Sequence, residues 1–203
     1  MLSRSLRTSA LMAPAIAVSL ALAATGCTPT PAPSPSPTTT ASPSETPSAS
    51  PTAETAALPD CDTIYSAALV ATLTGEGRTS SGDISSPGMG GWGTQDATLE
   101  GILSTIPERV SCTWILPQSE SGSTTSIARL DAATRSTVIA TLTAAGYTAS
   151  TVPGGDLYSI EVTFEVGSYN ESHLITDDLW FASVFSGGQS QTLTLDAAAQ
   201  LLP

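Results

Sequence analysis

His173 is the chain's one histidine, and the acids closest to it in sequence are Glu171, Asp177 and Asp178. On a strand, Glu171 and His173 project to the same side, which is how a metal site could begin. Zinc sites take three or four ligands at recognisable spacings such as HExxH, and the chain has no such spacing. The expectation is a structural or solvated role, with no metal and no cofactor. Asp177 and Asp178 should form the turn into a strand starting at Leu179.

The run Gly88-Met89-Gly90-Gly91-Trp92-Gly93 matches GxGxxG. That motif cradles a pyrophosphate only between a strand and a helix of a βαβ unit. Here Ser85-Ser86-Pro87 precede it, so it reads as a surface loop, with Trp92 folded onto the core. Acyl transfer lacks its parts: there is no GxSxG, and a chain without lysine cannot supply SxxK. Paired carboxylates for glycoside hydrolysis remain as the enzymatic alternative, because only their separation decides that chemistry.

Three cysteines carry the most information. Arg4 and Arg7 precede an apolar run of 14 residues, 11–24, and Ala24-Thr25-Gly26-Cys27 follows. This is the layout of an export signal. It is short of the about 20 residues a spanning helix needs, although an uncleaved anchor is the alternative. The last four residues resemble the lipobox of bacterial lipoproteins, with Ala24 where that family usually has Leu. The resemblance implies a signal peptide over 1–26, cleavage before Cys27, and a diacylglyceryl thioether on that cysteine. The implied address is the outer face of the cell membrane. Two acyl chains give stable anchoring where one does not. Cysteine arithmetic then leaves Cys61 and Cys112 to pair in an oxidising compartment. A loop of 52 positions closed in this way stabilises by about 4 kcal/mol.

Residues 27–59 form a spacer: nine of the fifteen prolines lie between 28 and 59, among Ser, Thr and Ala. This composition buries too little apolar surface to offset ordering entropy. Fully extended as polyproline II it would reach roughly 100 Å. The net charge is −12, and loss of Arg4 and Arg7 takes it near −14, with four arginines against eighteen acids. Nucleic acid is excluded as a partner, because phosphate binding needs a basic footprint. Direct docking on anionic lipid is excluded likewise.

Residues 60–203 suffice for one domain with a core. Helices are expected over 61–73 capped by Asp60, over 95–105 capped by Thr94 and stopped by Pro107, over 132–145 capped by Asp131, and over 195–202. Strands are expected over 110–116, 124–130, 147–152, 157–166 and 174–185, with 75–93 as loop. From Tyr158 to Val166, apolar residues alternate strictly with polar ones, which implies one buried and one wet face.

The expected fold is therefore α+β: an antiparallel sheet of about five strands, helices packed on one face, and one disulfide. The whole layout, with Cys112-Thr113-Trp114 on a strand, resembles actinobacterial lipoproteins that carry a signal, a Pro/Thr spacer and a disulfide-bearing domain. That resemblance implies no catalytic residues. The expected function is a non-catalytic binding or interaction domain for an envelope protein or glycan. The alternative is a carboxylate-dependent hydrolase of cell-wall glycans.

Overall fold

The computed structural model describes residues 57–86, 89 and 91–202. The expected signal peptide, the lipidation at Cys27 and nearly all of the spacer lie outside the described residues, as do Gly88 and Gly90 of the glycine-rich run. Leu58 already packs against the core, so the folded chain begins slightly before residue 60.

Among the described residues, four helices and seven strands follow in the order α1 (Ala67–Gly75), β1 (Thr79–Asp83), α2 (Ala97–Thr105), β2 (Arg109–Ile115), β3 (Gly122–Arg129), α3 (Ala132–Ala144), β4 (Thr148–Val152), β5 (Gly155–Phe164), β6 (Gly167–Ile175), β7 (Leu179–Ser186) and α4 (Ser190–Leu201). The strands form one sheet in the order β1-β2-β3-β7-β6-β5-β4, with every neighbouring pair antiparallel. Two meanders meet at β3 and β7. Between them the chain crosses through α3 to the far edge and works back.

Local chemistry explains most boundaries. Asp131 accepts from the N–H of Thr134 at 2.7 Å and starts α3 as expected. Gly146, at φ +85°, ends it. Asp96, not Thr94, caps α2, accepting from the N–H groups of Thr98 and Leu99. Helix α1 starts later than expected: Ser66 caps it, and 61–65 is turn. Asp196 of α4 explains the shift, because its carboxylate accepts from the backbone N–H and the hydroxyl of Ser66 at 2.7 and 2.6 Å.

The sheet has seven strands where five were expected. The expected strand over 174–185 is two strands broken at the Asp177-Asp178 turn, and β1 comes from the stretch read as loop. The helices also divide between the two faces. On β7, Leu179, Phe181 and Phe185 join a core containing Leu73 of α1 and Leu193 and Ala197 of α4. Trp180 and Ala182 join another containing Leu99 and Leu103 of α2 and Val138 and Leu142 of α3. One-sided cover would have left half of these side chains in water.

Cys61 and Cys112 are joined, with their Cα atoms 5.4 Å apart. The bond pins the turn before α1 to β2, on the face covered by α1 and α4.

Candidate functional site

Strand β6 places Tyr169, Glu171, His173 and Ile175 on the face covered by α2 and α3, since alternate residues share a side. Glu171 is only 1% exposed, and a buried carboxylate persists as an anion only where donors surround it. Four do. Oε2 accepts from the Tyr147 hydroxyl at 2.5 Å and the Thr94 hydroxyl at 2.7 Å, and faces His173 Nε2 at 3.4 Å. Oε1 accepts from the backbone N–H of Gln95 at 2.6 Å. Burial pushes its pKa up, but the bonds from His173, Tyr147, Thr94 and Gln95 outweigh that and hold it below the usual carboxylate value.

The neighbours respond in kind. Burial lowers the pKa of His173 against the opposing pull of Glu171. Burial, then the bond to Glu171, raises that of Tyr147. The Tyr147 and His173 rings meet edge to face at 5.0 Å. Glu171, His173, Tyr147 and Thr94 are all buried. The cluster fastens the segment before α2 to the sheet.

Gly93 shows how tightly. Its N–H donates to Ser126 Oγ at 2.9 Å, and a Cβ built there would stand 1.8 Å from the carbonyl oxygen of Ala182. Only glycine lets the backbone lie this flat on the sheet. Trp92, as expected, folds against the core beneath α2 and α3, with the Arg109 guanidinium 5.3 Å from its ring centre. Sequence reasoning assigned Thr94 to capping. The structure spends its hydroxyl on Glu171 instead.

Glu171 and His173 do share a face, as their spacing predicts. Asp177 and Asp178 lie apart in the following turn, near Arg135 at 3.9 Å and Arg129 at 3.2 Å. Among the described residues, no three His, Cys, Asp or Glu side chains converge as a metal site would require.

The segment fastened by Glu171 forms one wall of a cavity of about 660 Å³, at the end of the sheet where β5 turns into β6. Gln95, Glu120, Phe164, Ser168, Tyr169 and Ser186 line it. The rings of Phe164 and Tyr169 lie 6.3 Å apart, inclined at 43°. Phe164 is 50% exposed and Val166 91% exposed. The alternation from Tyr158 to Val166 therefore runs past the end of the buried face. Of its five apolar residues, Tyr158 alone is buried. A smaller cavity of about 400 Å³ is bordered by Glu161, Asn170 and Gln191.

No family model matches this chain. Nor does any curated protein or solved structure.

Proposed function

We propose that the protein is a membrane-anchored extracytoplasmic lipoprotein whose folded domain is a non-catalytic binding module. The pairing of Cys61 with Cys112 carries this reading. It accounts for two of the three cysteines, and the one left over is Cys27, at the end of an export-signal layout. Such a bridge persists in oxidising compartments. Among the described residues, no helix is long and apolar enough to cross a membrane, so attachment through lipid on Cys27 is consistent with the folded part.

The binding half of the proposal is supported by the cavity at the hairpin tip. Its volume falls within the roughly 300–1,000 Å³ range of ligand sites, and its lining mixes aromatic surface with a few polar groups. The hydrolase alternative needs two free carboxyl groups facing one substrate. Glu161 and Glu171 both border the smaller cavity, yet their side chains project to opposite faces of the sheet, because Glu171 pairs with Ile160 and Glu161 with Asn170. The oxygens of Glu171 are already occupied.

Mass spectrometry of the native N-terminus tests the anchor. The chain should begin at Cys27, carry a diacylglyceryl group and enter the detergent phase on phase separation, and Cys27→Ala should stay aqueous. A purified native chain that keeps residues 1–26, or an unmodified Cys27 thiol, would end the proposal.

A further inference from the structure

We infer that the cavity at the tip of the β5–β6 hairpin binds a neutral glycan; this rests on the binding-module reading and specifies its ligand. A sugar ring offers two surfaces, a face of C–H groups and a rim of hydroxyls. The inclined pair Phe164 and Tyr169 suits the first, since an aromatic face takes up apolar area while a phenol keeps a polar end. The amide of Gln95, the carboxylate of Glu120 and the hydroxyls of Ser168 and Ser186 suit the second.

Charge decides the class. None of the lining residues is cationic, and Glu120 is acidic, within a chain of net charge −12. The Arg78 guanidinium behind Ser121 is paired with Glu76 at 3.0 Å, so a phosphorylated, sulfated or uronic ligand would meet net repulsion. A partner docking only through apolar surface would leave these polar groups dehydrated and unpaired, which is costly.

The walls are already in place. Glu171 holds the Gln95 backbone. Ser121, which also lines the cavity, donates its hydroxyl to the carbonyl of Ser186 at 2.8 Å and accepts from buried Arg78 at 3.1 Å. A preformed site spends little of its contact energy on ordering. The smaller cavity lacks an aromatic ring, and its Asn170 amide is committed to the Gly188 carbonyl.

Calorimetry on the full chain in detergent tests the assignment, with three neutral tetrasaccharides (of N-acetylglucosamine, glucose and mannose) and a tetramer of uronic acid. At least one neutral tetramer should bind and the uronic tetramer should not. Phe164→Ala and Gln95→Ala should each weaken binding about tenfold or more, while Ile115→Ser, on an exposed residue outside the cavity, should leave it unchanged. Circular dichroism of each variant separates lost binding from lost fold. Silence from every neutral tetramer, equal binding of the uronic one, or indifference to Phe164→Ala overturns the inference. A photo-crosslinker in place of Val166 distinguishes the two levels of failure: a specific envelope protein captured there, with no sugar bound, removes the glycan and keeps a binding module. If neither sugar nor protein is found, both readings fall.

Discussion

Trp180 donates its indole N–H to Nδ1 of His173 at 3.1 Å, and this one bond fixes the tautomer. With Nδ1 an acceptor, the proton of the neutral ring sits on Nε2, facing Glu171 Oε2 at 3.4 Å. Both nitrogens are used while the ring is neutral. A second proton would have to displace Trp180, at a site with no exposed surface.

Stability should therefore fall on acidification. Burial holds the pKa of His173 below its ordinary 6.5, so the unfolded chain takes up a proton near that pH while the folded chain refuses it. Stability is full above about 6.5 and declines as pH falls below it. Glu171, held below 4.5, adds a loss at lower pH. At the other limit, burial raises Tyr65 and Tyr147 above 10.0, so their contribution is lost as pH rises past that value. Urea denaturation across this range should show a plateau from about pH 6.5 to 10 with both flanks falling. A midpoint unchanged between neutral pH and about pH 5 would refute the buried neutral histidine.

Removing the central carboxylate should cost more than any surface change. Glu171→Ala leaves Thr94, Tyr147 and the Gln95 N–H without an acceptor, at about 1–3 kcal/mol each before relaxation, so a net loss of about 3–5 kcal/mol is expected. Glu171→Gln keeps one acceptor oxygen and should lose less. Hydrogen exchange at Gln95 should accelerate in both variants. Unaltered protection there would mean that Glu171 does not hold the segment.

Two glycines give opposite expectations for the same substitution. At Gly93 an added methyl meets the Ala182 backbone, whereas at Gly101, inside α2, it meets nothing within 4 Å. Gly93→Ala should exceed the about 1–3 kcal/mol typical of overpacking. Gly101→Ala should gain about 0.5–1 kcal/mol from helix propensity. Thermal melts of the two variants should move in opposite directions.

What the sequence disclosed, and what it hid, follows from the range of each interaction. The cap at Asp131 and the stop at Gly146 are local chemistry, and α3 between them fell where expected; β5, expected over 157–166, starts two residues earlier, at Gly155. Strand β6 was missed over most of its length because Glu171 and His173 occupy core positions where an apolar residue would have marked the period. Their partners stand at 94, 95, 147 and 180, too far away for any short window to reveal. Strand β1 consists of Thr79, Ser80, Ser81, Gly82 and Asp83 and carries no alternation at all. In β5 the pattern was read correctly but its burial was not, because periodicity says which side a residue faces and not where its covering layer ends. The cavity was illegible for the same reason: Gln95, Glu120 and Phe164 come together only through register.

Strand β7 sits at the centre of the sheet, yet among the described residues it is the last strand in sequence, with α4 after it. Each meander has an open inner edge until residues 179–186 arrive to join them. Until that strand is in place the sheet is no complete barrier between its two apolar layers, so the last strand in sequence is the one that separates them.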